Sequence, residues 1–187
     1  ALLAAPMATA DTPKAEPVDE AGDRVAMWSP NYAEWTYIQY ATAKIGAIQV
    51  NINPAYRTNE LEYALHQSGA KLLVTRTKYL TSAYRDMVEA VMPHLTELEH
   101  VVYFDTDDWA SLLADGASIS DEALAERAAS LDPNDPINIQ YTSGTTGFPK
   151  GATLSHRSIL TDAFLVGQAC DYDESDRVCI PVPFYHC

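Results

Sequence analysis

Between positions 141 and 151 the chain reads Tyr141-Thr-Ser-Gly-Thr-Thr-Gly-Phe-Pro-Lys-Gly151, a run of hydroxyls, small residues and one lysine behind an apolar segment. That composition suits a phosphate group. Gly144 and Gly147 let the backbone adopt positive φ and approach a ligand closely. Ser143, Thr145 and Thr146 offer hydroxyl donors, and successive loop N–H groups can form an anion-binding nest. Lys150 adds a flexible point charge, and Pro149 restricts the backbone just before it. The spacing is not that of a Walker A loop, because only two residues separate the glycines and a proline precedes the lysine. The same composition also describes a flexible Ser/Thr/Gly linker. Against the linker stand the alternating Ile137-Asn-Ile-Gln-Tyr141 before the loop and the core-like Ala152, Leu154, Ile159 and Leu160 after it. A loop held between two core elements is where function concentrates.

Such a loop must be positioned by regular elements, and the chain alternates strand and helix signals as doubly wound α/β proteins do. Strands are expected at 24–28, 48–52, 71–75, 101–104, 137–141 and 178–182. The first helix should follow Pro30, with an Asn31…Glu34 capping box and an apolar stripe of Tyr32, Trp35, Ile38 and Ile45 facing the core. A second should be capped by Thr58 and stopped by Gly69, a third should span 79–91, and an acidic surface helix 121–130. Ser155 is a good N-cap for a helix over 156–167, whose positive end would face the loop. Asp105, Asp107 and Asp108 lack the glycine and distal glutamate of a calcium loop and read as a solvated turn. The fold class is therefore α/β, a partial doubly wound mixed or parallel sheet flanked by helices.

With 187 residues, 47% hydrophobic and 20% charged, the chain can build one domain with a sizeable core. No apolar run approaches the ~20 residues of a transmembrane helix. A net charge of −14 argues against nucleic-acid partners and repels nucleotides at long range, so any phosphate site needs local positive charge. Lys150 and Arg157 supply it, and no acidic residue falls between Pro136 and Thr161. Cys170, Cys179 and Cys187 are odd in number and form no Cys-x-x-Cys pair, so they read as small core residues in a reducing, cytoplasmic compartment. The histidines show no metal-ligand spacing. The apolar stretch at positions 1–5 lacks the positive flank and length of a signal peptide.

Three ordered motifs resemble the adenylate-forming (AMP-binding) superfamily. The Tyr141 to Gly151 run is similar to its signature loop. The stretch Lys44-Ile-Gly-Ala-Ile-Gln-Val-Asn-Ile-Asn-Pro-Ala-Tyr-Arg57 resembles its upstream core motif, and Arg177-Val-Cys-Ile-Pro-Val-Pro-Phe-Tyr-His-Cys187 its Pro-aromatic-His motif. Asn53-Pro-Ala-Tyr-Arg57 and Pro183-Phe-Tyr-His-Cys187 look most like the medium-chain fatty acyl-CoA synthetases.

The resemblance implies a fatty acid whose carboxylate attacks the α-phosphate of ATP, giving an acyl-adenylate and releasing pyrophosphate, and coenzyme A whose thiol then displaces AMP. It implies that Ser143, Gly144, Thr145, Thr146 and Gly147 hold the phosphates, that Thr142 orients the loop, and that Lys150 offsets charge. Thr145 matches a threonine found near Mg2+. Tyr185 and His186 match the pair bordering the acyl pocket; from its residue type alone, His186 reads equally as a structural histidine. No catalytic residue is expected within these positions, and Cys187 reads as structural. Residues 22–187 are expected to form an incomplete N-terminal AMP-binding domain, preceded at 1–21 by a helix tail and a disordered acidic Pro/Ala-rich insertion. The family's adenine- and ribose-binding segments, its magnesium-binding glutamate and the lysine of its C-terminal domain are absent. This piece alone should therefore complete neither half-reaction, and its sheet should leave an edge and apolar faces uncovered. An aryl-CoA ligase, an amino-acid adenylation domain and a non-catalytic nucleotide-binding module remain the alternatives.

Overall fold

The computed structural model describes residue 18, residues 20–142 and residues 149–186. Its centre is a six-stranded sheet in the order β6-β3-β1-β2-β7-β8, made of β1 (Arg24–Trp28), β2 (Ile48–Ile52), β3 (Leu72–Thr75), β6 (His100–Tyr103), β7 (Pro136–Thr142) and β8 (Lys150–Ser155). All pairs are parallel except β7 with β8. A two-stranded hairpin of β4 (Lys78–Tyr79) and β5 (Ser82–Ala83) stands apart.

The inner strands β1, β2 and β3 are buried on both faces, and β1 and β3 accordingly read as nearly continuous apolar runs. Ala26, Trp28, Val50, Ile52 and Leu73 meet α2 (Thr58–Ser68) and α3 (Tyr84–Val91) on one face. Val25, Met27, Leu72 and Val74 meet α1 (Ala33–Ile45), α4 (Asp107–Gly116) and α5 (Asp121–Ala129) on the other. Trp35, Ile38 and Ile45 are buried as the stripe on α1 predicts. Val18 also lies in this second cluster, while positions 1–17 and 19 fall outside the described residues.

Beneath α1 the second face carries amides. Gln49 Nε2 donates to Asn51 Oδ1 at 2.8 Å, and Asn138 Nδ2 donates to the same oxygen at 3.2 Å. All three side chains are buried, so these bonds sit in low-dielectric surroundings, where they count for more than in water. The Gln49 bond stays within β2 and fixes the Asn51 amide, and the Asn138 bond joins β2 to β7, the strand that leads into the Ser/Thr/Gly loop.

Helix α1 ends at Gly46, whose φ of 75° is left-handed. A Cβ there would stand 2.6 Å from Leu131 Cδ2. Gly46→Ala should cost about 1–3 kcal/mol, read as a lowered urea midpoint at unchanged m-value.

Several local expectations are corrected. The third helix starts at Tyr84 rather than 79, because Leu80 takes a left-handed φ of 50° in the β4–β5 hairpin. Asn31 and Glu34 form no capping box: Tyr32 is the N-cap and Asn31 is engaged elsewhere. Arg57, not Thr58, occupies the N-cap of α2, its N–H donating to Glu60 Oε2 at 3.2 Å. The aspartates after β6 are not merely a solvated turn. Asp107 and Asp108 open α4 at its positive end, capped by Thr106, and Asp105 accepts from Thr77 and pairs with Arg76 at 3.6 Å.

The C-terminal third differs most. β8 is the sheet edge, and α6 (His156–Ala169), capped by Ser155 as expected, follows it directly without a buried residue. Because Ser155 pairs with Pro136, at the far end of β8 from Lys150 and Thr142, the positive end of α6 lies away from the loop rather than facing it. Ala152 and Leu160 are exposed, and Leu154 and Ile159 only half-buried, so the expected core does not close here. Phe164 and Leu165 on α6 stay open to solvent at 64% and 56% exposure. Residues 178–182 form no strand among the described residues; Val178, Ile180 and Val182 are exposed, because β8 already occupies the edge beside β7. Cys170 and Cys179 are exposed rather than core residues, and Cys187 lies outside the described residues.

Candidate active site

Parallel strands send their carboxyl ends to one side, where ligands bind in open α/β sheets. Here β1 ends in Ser29-Pro30-Asn31, β2 in Asn53-Pro-Ala-Tyr-Arg57, and β7 in Thr142. Trp28 and Tyr84 stack with ring centroids 3.9 Å apart and planes 9° from parallel. Trp28 Nε1 donates to the Asn53 carbonyl at 3.1 Å, and the Tyr84 hydroxyl donates to the Pro54 carbonyl at 2.6 Å. The turn after β2 is thus pinned from below by two aromatic side chains. Burial pushes the Tyr84 phenol up to about 12, so it remains a neutral donor.

The strand feeding the loop is held in the same way. The Tyr141 hydroxyl donates to the Ala64 carbonyl of α2 at 3.1 Å, and burial pushes that phenol up to about 12. Thr142 and Lys150 face one another across the β7–β8 pair, with Thr142 Oγ1 donating to the Lys150 carbonyl at 3.4 Å. Both side chains are exposed, and among the described residues no carboxylate pairs with the Lys150 ammonium. The Tyr63 hydroxyl of α2 donates to the Pro149 carbonyl at 3.3 Å. Ser143, Gly144, Thr145, Thr146 and Gly147 lie outside the described residues.

Tyr185 and His186 fall in a 3-10 turn, Phe184–His186, that lies against β2. Their rings sit 4.3 Å apart and tilted by 33°; Tyr185 is half-buried and His186 exposed. Phe184 and Tyr185 pack on the second core cluster. Tyr56, in the turn after β2, has its phenol raised chiefly by burial, then by the Glu60 carboxylate and by Tyr185 and Tyr63 nearby. Tyr63 thus touches the base of the loop, and Tyr56 feels both Tyr63 and Tyr185 electrostatically from the turn after β2.

The tertiary role of Asn31 has no counterpart in the sequence reading. Its side chain donates to the Val182 carbonyl at 2.9 Å and accepts from the Phe184 N–H at 2.8 Å. No sequence signal could point there across about 150 residues of separation, since these bonds exist only after folding. Tyr63 is equally silent on its helix, whereas Tyr56 sits within the Asn53 to Arg57 motif.

The AMP-binding enzyme family matches residues 19–187. The chain belongs to that family. Among its relatives, the medium-chain acyl-CoA ligase ACSF2, mitochondrial, of Danio rerio is 40% identical, covering 89% of this chain and 31% of its own length. Among solved structures, ATP-bound MatB from Rhodopseudomonas palustris matches with a TM-score of 0.71 at 27% identity, over 89% of this chain and 31% of that one. A fatty acyl CoA synthetase of Mycobacterium tuberculosis matches with a TM-score of 0.69 at 27% identity, over 88% of this chain and 30% of that one. The chain spans about a third of the length of the curated relatives it matches. No helix among the described residues is long and apolar enough to cross a membrane.

Proposed function

We propose that this chain carries the phosphate-gripping part of an ATP-dependent fatty acyl-CoA synthetase. The reading is supported by the match to the AMP-binding enzyme family over residues 19–187, together with Thr142 and Lys150 facing one another at the mouth of the loop and the Tyr185-His186 turn lying against β2. Joining a carboxylate to a phosphate ester brings two anions together, so catalysis rests on positioning and charge neutralisation. Lys150 neutralises charge on the β- and γ-phosphates. The hydroxyls of Ser143, Thr145 and Thr146 and the loop N–H groups hold their oxygens, and Thr142 orients the loop from the end of β7. Tyr185 and His186 border the acyl chain on the far side of Tyr56.

The residues present fit a magnesium nucleotide. Hydroxyl oxygen is a ligand type that hard cations accept, and Lys150 opposite Thr142 at the loop mouth stands without a carboxylate partner among the described residues, as an anion site requires. Thr145, together with the phosphates, would hold Mg2+, which supplies charge neutralisation at the phosphates when bound. Coenzyme A is the second-step nucleophile through its thiol.

The test is pyrophosphate exchange by the complete protein. Fatty acids should support exchange, whereas aromatic carboxylates and amino acids should not; the reverse pattern would assign an aryl-CoA ligase or an amino-acid adenylation domain. ATP binding without exchange on any carboxylate would leave a nucleotide-binding module. The 187-residue chain alone is expected to form no acyl-CoA, so product from it would overturn the division of labour proposed here.

A further inference from the structure

We infer that Asn31 is a positioning residue for the acyl-pocket wall: its side-chain amide clamps the main chain on both sides of Pro183 and thereby aims Tyr185 and His186. This inference rests on the reading of those two residues given above.

Asn31 lies in the short connection between β1 and α1, directly after Pro30, whose ring limits backbone freedom at that point. It would ordinarily be spent on capping α1, yet that helix has Tyr32 as N-cap and no side-chain cap bond. Instead, Asn31 Nδ2 donates to the Val182 carbonyl at 2.9 Å and Oδ1 accepts from the Phe184 N–H at 2.8 Å. A primary amide presents one donor and one acceptor side by side, so it matches the C=O and N–H that flank a single residue. The pair of bonds fixes direction as well as distance.

The segment held in this way needs such a clamp. From Cys170 onward the chain has left α6, and Val178, Ile180 and Val182 are exposed and outside any strand. The chain nevertheless arrives at β2, where Phe184 and Tyr185 meet the second core cluster and the His186 N–H donates to the Pro183 carbonyl at 2.9 Å. Apolar contact is non-directional and does not choose how the turn is rotated. The two bonds to Asn31 do, because they grip the main chain immediately before the turn begins.

Three variants separate the possibilities. Asn31→Leu keeps the branched shape and the number of heavy atoms and removes both bonds. Asn31→Asp keeps the acceptor for the Phe184 N–H and removes the donor to the Val182 carbonyl. His186→Ala tests the pocket assignment itself. In the complete protein, with octanoate as probe in pyrophosphate exchange, Asn31→Leu is expected to raise KM for octanoate about tenfold, the scale of one to two hydrogen bonds, while KM for ATP stays put. Asn31→Asp should fall between. In the same complete protein, hydrogen exchange at the Phe184 amide should quicken about tenfold in Asn31→Leu, with the β1 and β2 amides unchanged.

An unchanged octanoate KM in Asn31→Leu alongside a raised one in His186→Ala would overturn the clamp and leave the pocket reading standing. No change in either variant would overturn both. A parallel rise in both KM values would mark general loosening and refute a positioning role. If octanoate supports no exchange even in the unsubstituted protein, the functional reading fails, and Phe184 exchange decides alone whether Asn31 clamps the turn.

Discussion

Lys150→Ala in the complete protein is expected to raise KM for ATP by about 10- to 100-fold, the cost of one charge-assisted hydrogen bond to phosphate. The melting temperature should stay within error of the unsubstituted protein. The two halves of that expectation come from different observations. Lys150 is exposed at the first position of the edge strand β8, and among the described residues it pairs with no carboxylate, so its removal leaves no buried charge stranded. It also stands directly across from Thr142, at the mouth of the loop, in a stretch without acidic residues between Pro136 and Thr161. A cation so placed in a chain of net charge −14 can draw in an anion that the rest of the molecule repels, which is the role proposed for it. Lys150→Arg should recover part of the loss, because the charge returns with different geometry. A large fall in melting temperature with KM for ATP unaltered would show instead that Lys150 serves the β7–β8 pairing.

Trp28→Ala is expected to cost about 3–5 kcal/mol of stability, the usual loss for truncating a buried tryptophan. Domains of this kind are stable by only about 5–15 kcal/mol, so the variant should be marginal at room temperature. Trp28 is fully buried at the end of β1, stacked on Tyr84 at 3.9 Å, and its indole N–H holds the Asn53 carbonyl. Truncation removes apolar area, the stack and the hydrogen bond together, and it frees the turn that leads to Tyr56. Trp28→Phe separates these contributions: it keeps an aromatic ring against Tyr84 and leaves the Asn53 carbonyl without its donor, at a cost of about 1–3 kcal/mol. Urea unfolding measures both variants, and a double-mutant cycle with Tyr84→Ala isolates the stack. A loss for Trp28→Ala no larger than that for an exposed aromatic such as Tyr40 would refute the assignment.

Much of the framework was legible in the sequence because it depends on short-range patterns. The strands at 24–28 and 48–52 follow from apolar runs, the stripe on α1 from helical period, and the end of α2 from Gly69, where φ is +60°. The helix beginning at His156 follows from Ser155, whose hydroxyl accepts from the Ser158 N–H at 3.2 Å. The errors lie where short-range signals were reused for another purpose. Asn31 looks like a helix cap and is consumed by the chain at 182–184. Residues 178–182 have strand composition, but no free ladder reaches them beside β7. Asp107 and Asp108 look like a polar turn and are instead the favourable acidic start of a helix.

For the candidate site the division is sharper. The identity of the chemical groups, hydroxyls and a lysine at the loop with an aromatic and a histidine downstream, is written in residue types and needs no coordinates. The sequence by itself determined these groups, the alternation that builds a doubly wound sheet, and the absence of acidic residues around the loop. Only the tertiary structure decided that β7 lies beside β2. It also decided that a buried amide bond between Asn51 and Asn138 ties those strands, that Tyr63 holds the base of the loop, and that Asn31 holds the chain entering the aromatic-His turn. The physical reason is range. Periodicity, capping and backbone dihedral preference act over a few residues, whereas a hydrogen bond between Asn31 and Phe184 carries no signature in either neighbourhood until the sheet brings the two together.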